Sequence, residues 1–192
     1  EEDVDTVVTA VQNAPFTVDN VKRTDKKRSP SPPFITSTLQ QEASRKLGMT
    51  PRRAMSIAQQ LYEGIDIKGD GTVGLITYMR TDSLRLSEEA LADAKTLIVG
   101  QYGEKFYPGS PTRYKTKNTA QDAHEAIRPT SVTMTPDKVK DSVTKDQYRL
   151  YKMIWSRFVA SQMTNALYDS VTVDVGSAGY IFRTTHTVIK FA

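Results

Sequence analysis

Cysteine is absent from the 192 residues, which excludes a disulfide framework and any thiolate-held metal. Histidine is nearly absent: His124 and His186 are the only two, so a structural zinc site is not expected. No apolar run approaches the roughly 18 residues needed to span a bilayer, and no secretory leader heads the chain. Those two absences predict a cytoplasmic protein with no membrane partner. Charge of neither sign dominates. Lys and Arg number 26 against 22 Asp and Glu, a net charge of +4 with a pI near 9.2. Such a mild basic excess permits a nucleic-acid partner without requiring one. A hydrophobic share of 38% with 25% charged residues is ordinary for a chain that buries a core, and the length fits one medium domain or one domain plus part of another. The chain opens on Glu1 rather than methionine and stops at Phe191-Ala192, directly after strand-like residues; a segment of a larger protein is expected.

What is present changes character along the chain. Glu1, Glu2, Asp3 and Asp5 crowd the amino end, while Lys22, Arg23, Lys26, Lys27 and Arg28 crowd one later stretch. Residues 6–12 fit helix and strand equally. Phe16 to Val21 alternates apolar with polar and predicts a strand ending before the basic cluster. Pro30, Pro32 and Pro33 then make a stiff extended connector and a domain boundary near residues 29–36. Helices follow. Thr36, Ser37 and Thr38 offer a cap, and Thr38 with Gln41 has capping-box spacing; Leu39, Ala43 and Leu47 form the stripe that Gly48 stops. Thr50-Pro51 opens a second helix buried through Ala54, Ile57, Ala58 and Leu61. Ser87 caps a third, with Glu88 and Glu89 at its positive end. Thr119 with Asp122 predicts a short helix closed before Pro129, Thr135-Pro136 another, and Thr144 with Gln147 the longest, facing inward through Leu150, Ile154, Trp155 and Phe158. From Ala166 the pattern turns to β, with Gly176 to Gly179 as a turn between two strands. The class is α+β: a mainly helical domain, 36–163, inserted into a partial antiparallel β domain formed by 1–35 and 164–192.

Gly74-Leu75-Ile76-Thr77-Tyr78-Met79-Arg80-Thr81-Asp82-Ser83 reads as a short buried strand running into a polar loop. In extended chain, residues two apart share a face, so Tyr78 and Arg80 point the same way; on a helix they would lie about 200° apart. A lone tyrosine at a strand end is ordinarily a packing residue. Its phenol, with a reference pKa of about 10, becomes a useful nucleophile only when a cation stabilises the phenolate, and a guanidinium also neutralises charge gathering on a phosphoryl oxygen. A tyrosyl phosphodiester conserves the linkage it took, so a sugar hydroxyl can reclaim it. Asp122 to Thr130 forms a second constellation. There His124 and Arg128, four apart, share a helix face from which both can donate hydrogen bonds to phosphate, although a solvated helix face is the ordinary reading of such a pair. His186, in a Thr-rich strand, is read as structural or exposed.

The two blocks Gly74 to Ser83 and Ala123 to Thr130, together with Pro32-Pro33-Phe34-Ile35-Thr36-Ser37-Thr38-Leu39-Gln40-Gln41-Glu42-Ala43, resemble the bacterial branch of the type IA DNA topoisomerases over about residues 16–175. The resemblance implies that Tyr78 cuts one strand of DNA and keeps its 5′ phosphate as a phosphotyrosine, that Arg80 holds the scissile phosphate, and that His124 contacts DNA with Arg128 as support. It further implies Mg²⁺ in the full-length enzyme, held by an acidic cluster on a separate domain; no such Asp-x-Asp-x-Glu pattern occurs here, so no metal ligand is assigned and none is expected bound. The expected partners are single-stranded or negatively supercoiled DNA and the remaining domains of the same enzyme, in a nucleoid-associated monomer. By itself the segment, the tyrosine domain plus part of the β arch that lifts it, is expected to be inactive or nearly so. A non-catalytic single-strand-binding module is the alternative. A tyrosine recombinase or relaxase fits less well, since the first needs several arginines and the second a histidine cluster.

Overall fold

The computed structural model describes residues 2–115 and 124–191. In chain order its elements are α1 (Glu2–Val11), β1 (Thr17–Arg28), α2 (Thr36–Leu47), α3 (Pro51–Glu63), β2 (Ile65–Ile67), β3 (Gly71–Val73), α4 (Glu88–Tyr102), α5 (Pro136–Val139), α6 (Lys145–Ser161), β4 (Ala166–Ser177) and β5 (Tyr180–Phe191). They fall into two units, Glu1–Ser29 with Asn165–Ala192, and Pro30–Thr164. The chain leaves the first, builds the whole of the second, and returns. This is the α+β architecture of a helical unit inserted in an antiparallel one.

The β unit is a three-stranded sheet in the order β1-β4-β5. β4 and β5 form a hairpin whose central residues, Ala178 and Gly179, take φ of 48° and 81°; a two-residue turn with both φ positive matches the twist of the flanking strands. β1 pairs with the other side of β4 from Thr17↔Gly176 to Arg28↔Ala166. The strand therefore runs through the whole basic cluster, beyond the Val21 limit that alternation suggested. On an edge strand the long cationic side chains stay solvated while the backbone pairs, so the reach of β4 sets the length. Residues 6–12, ambiguous in sequence, lie largely within α1.

In the helical unit the apolar stripes do what their spacing requires. Leu39 and Ala43 of α2, Ala54, Ile57, Ala58 and Leu61 of α3, and Ala90, Leu91, Ala94 and Ile98 of α4 are all buried. Thr50 accepts from the Arg53 N–H at 3.3 Å and Ser87 from that of Ala90 at 3.2 Å. α6 is the pillar: Thr144 and Gln147 cap its start reciprocally, at 2.8 and 3.3 Å, and Leu150, Tyr151, Ile154, Trp155, Phe158 and Val159 are buried along it. Its two polar aromatics are satisfied by loop carbonyls, Trp155 Nε1 donating to Val132 O at 3.0 Å and the Tyr151 hydroxyl to Met134 O.

Three local expectations are corrected. α2 begins with Ile35 as its cap residue; Thr38 instead reaches back to accept the Ile35 N–H at 3.0 Å, which leaves Thr36 available for a tertiary role. Residues 74–83 are extended but form no regular strand, only an isolated bridge between Ile76 and Pro129. The helix expected from Thr119 to just before Pro129 is absent from the part described: residues 124–130 form no helix, and Phe34 and Ile76 bridge to Ile127 and Pro129. Pro129 and the backbone partners offered by two neighbouring segments outweigh the weak helical spacing of a short stretch. Its proposed start, Thr119 with Asp122, lies outside the described residues.

Burial pushes the Tyr151 phenol well above its usual pKa. A raised folded pKa means the stabilisation is complete below the unfolded value of about 10 and is lost as the pH climbs beyond it. Urea midpoints should therefore fall above about pH 10, and Tyr151→Phe should flatten that fall while costing about 1 kcal/mol at neutral pH through the lost hydrogen bond.

Candidate active site

The site is built on a short irregular segment held from two sides. Gly74 starts it, and a Cβ there would sit 2.8 Å from the Tyr62 carbonyl oxygen; only glycine lets the chain pass this close to the end of α3. Leu75 then donates to Leu61 O at 2.7 Å. On one flank the 126–130 strap is joined to it through Thr77 N to Arg128 O (2.9 Å) and Thr130 N to Leu75 O (3.1 Å). The Thr77 hydroxyl donates to Ala126 O at 2.8 Å and accepts the Arg128 N–H at 3.0 Å. On the other flank the first residue of α2 takes hold: the Thr36 hydroxyl lies 2.8 Å from Met79 O and accepts the Thr81 N–H at 2.9 Å, while Thr36 N donates to Thr81 O, also at 2.9 Å.

So fastened, the segment alternates. Met79, Thr81 and Ser83 are buried, whereas Tyr78, Arg80 and Asp82 are exposed. Tyr78 retains 38% of its surface, and its ring is flanked by two aromatic neighbours. His124 lies with ring centroids 5.7 Å apart and planes 36° tilted; Tyr62, from the last turn of α3, lies edge-on at 5.4 Å. The phenol and the imidazole, 46 positions apart in sequence, are thus gathered. Arg80 opens onto a shallow groove with Ser37 and Gln40 at the start of α2.

Arg128 is brought to the same strap but not to the surface. Its guanidinium is paired with Glu125 at 2.6 Å, the two side chains 13% and 19% exposed, and donates to Pro129 O at 3.0 Å and Ser87 Oγ at 3.3 Å. It braces the strap that carries His124. In the basic loop that follows α4, Arg113 is committed to Glu88 through two hydrogen bonds of 2.7 and 2.8 Å, and Lys117 is outside the described residues. His186 is exposed on β5. Among the described residues, no three His, Asp or Glu side chains gather where a metal ion could be held, and no helix is long and apolar enough to cross a membrane.

Tyr62 and Thr77 were not singled out by sequence, and Thr36 only as a helix cap. Tyr62 follows Leu61 in the apolar rhythm of α3, and the two threonines resemble an ordinary cap and an ordinary strand residue. Their roles arise from which backbones meet.

A helical unit presenting an exposed tyrosine beside a histidine, its chain inserted between the strands of an antiparallel sheet, defines a tyrosine-bearing domain. The family model described as DNA topoisomerase matches residues 1–192. Full-length topoisomerase I from Thermotoga maritima matches with a TM-score of 0.80 and 40% identity, over 98% of this chain and 30% of that one. The chain belongs to the DNA topoisomerase family, in its type IA branch, and spans about a third of the length of that relative.

Replacing Thr77 by Val keeps the shape but strips the Arg128 N–H of its acceptor. The expected loss is about 1–3 kcal/mol, with faster hydrogen exchange at residues 126–130; unchanged exchange there would show that the hydroxyl does not hold the strap.

Proposed function

We propose that this chain is the part of a DNA topoisomerase that carries the nucleophile, and that Tyr78 attacks a phosphodiester in single-stranded DNA. The observation that carries this reading is the exposed Tyr78 ring packed against His124 on a segment whose main chain is tied on both flanks. The phenol oxygen bonds to phosphorus and loses its proton. The bond from phosphorus to the 3′ oxygen breaks, and that oxygen leaves as a hydroxyl. The product is a tyrosyl ester of the 5′ phosphate, which the 3′ hydroxyl reverses by the same path. In the whole enzyme, passage of a strand through the transient break relaxes negative supercoils.

Arg80 supplies fixed positive charge for the non-bridging oxygens. A guanidinium stays protonated at any working pH and offers paired donors to phosphate. His124 lies beside the attacking ring and supplies a second donor, charged or neutral. Arg128 supports both by bracing the strap through Glu125 and Ser87. Among the described residues no three His, Asp or Glu side chains gather to hold the magnesium implied by the resemblance, and the resemblance places that metal, with an acid for the leaving oxygen, on a separate domain. We assign them to the remaining domains, which makes this chain inactive or nearly so when separate. It works as one monomeric enzyme's moving, tyrosine-bearing part.

Supplying the metal-binding portion of a family member in trans, with labelled single-stranded DNA and Mg²⁺, should trap an adduct on this chain. The adduct should carry a 5′ phosphate and vanish in Tyr78→Phe; Arg80→Ala and His124→Ala should each lower its yield by about 10²-fold or more. An adduct that persists in Tyr78→Phe, or one linked through a 3′ phosphate, refutes the proposal. Retention of DNA without any adduct would favour a binding module.

A further inference from the structure

The strand that stays on Tyr78 needs a place to lie. Resting on the phosphotyrosine reading above, an ester to the 5′ phosphate leaves the nucleotides on the 3′ side of the break attached to the helical unit, so that unit has to accommodate them. Its surface offers a track. Arg80 and Asp82 line a shallow groove of about 300 Å³ together with Ser37 and Gln40. A second groove, of about 460 Å³, is lined by the same Ser37 and Gln40 and by Gln41, Ser44, Arg45 and Pro51. Through the shared residues the two join into one trough, leading from Arg80 along α2 to the start of α3.

The chemistry of the trough is regular. Ser37, Gln40, Gln41 and Ser44 follow the spacing i, i+3, i+4, i+7 and so occupy one face of α2, opposite the fully buried Leu39 and Ala43. From Ser37 to Ser44 the helix rises about 10 Å, the length of roughly three stacked nucleotides at ~3.4 Å each. None of these four side chains makes a hydrogen bond among the described residues, so two amides and two hydroxyls stand free along the track. α2 carries a single acid, Glu42. Its carboxylate is drawn into ion pairs with Lys46 at 2.7 Å, Arg45 at 2.8 Å and Arg157 at 3.5 Å, and the Lys46 hydrogen bond foremost holds its pKa below the usual carboxylate range. Asp82 is therefore the one carboxylate lining the trough, beside Arg80. Free amides and hydroxyls donate to phosphate and sugar oxygens, and a glutamine can also pair with a base edge.

We propose that this trough binds the first nucleotides on the 3′ side of the break, with Gln40 and Gln41 as its principal contacts. The occupant is single-stranded nucleic acid: the trough starts at Arg80, two residues from the proposed ester on Tyr78, and the side chains along it are two arginines, one carboxylate and a row of neutral donors of the kind that meet phosphate and sugar oxygens.

The test is a nuclear magnetic resonance titration of the isotopically labelled chain with short oligothymidylate carrying a 5′ phosphate, taken to millimolar concentration. The side-chain amide signals of Gln40 and Gln41 should shift. Gln40→Ala and Gln41→Ala should each weaken binding by about 2- to 10-fold, and Gln41→Lys, at an exposed position that leaves the fold untouched, should strengthen it. Shifts confined to other surfaces, no shift up to millimolar ligand, or a Gln41→Lys variant that binds no better each overturn the proposal. A Tyr78-dependent adduct that still forms under those results leaves the cleavage reading standing and removes only the trough. Trough shifts with an adduct that ignores Tyr78→Phe overturn the assignment to the 3′ side of the break and leave only a single-strand site on α2.

Discussion

Two threonine hydroxyls hold the centre of this molecule. The Tyr78 segment is neither helix nor strand, yet it runs through the interior, where every main-chain polar group needs a partner. Thr36, at the first turn of α2, closes on the carbonyls and N–H of residues 79–81. Thr77 faces the other way and closes on the strap at 126–128. Because both bonds run between distant stretches, the segment stays in place only while α2, α3 and the strap are all assembled. Its rigidity is a property of the unit rather than of its own sequence.

That arrangement would suit the nucleophile proposed for Tyr78. An exposed phenol on a mobile loop would sample many directions, whereas here the alternation of buried Met79 and Thr81 with outward Tyr78 and Arg80 fixes which side chains leave the core. Tyr62 and His124 then confine the ring from two directions. A catalytic group placed by packing and by hydrogen bonds behind it needs little rearrangement when the reacting atom arrives. Arg128 belongs to the same support. Almost buried and committed to Glu125, Ser87 and loop carbonyls, it ties the strap to the cap of α4.

The helical framework was largely legible because each helix carries its own signals. Thr50-Pro51, Ser87 and Thr144 with Gln147 cap where their types predict, and the stripes they precede are buried. The β hairpin was legible from Gly176 to Gly179 for the same local reason. Less legible was anything set by a partner. β1 runs to Arg28 because β4 is there to pair with it, not because its residues alternate. The strap beyond His124 forms no helix because Phe34 and Ile76 bridge to it, whereas spacing alone suggested one.

For the candidate site the division is the same. Sequence alone singled out the candidate residues by their chemical types, a phenol, a guanidinium and an imidazole, and it determined that Tyr78 and Arg80 emerge together, since alternation in extended chain is a local geometric rule. Tertiary structure alone decided that His124 meets Tyr78, that Tyr62 joins them, and that Arg128 turns inward to Glu125. Each of those outcomes depends on contacts between segments tens of residues apart, and these exist only once the core has closed around them.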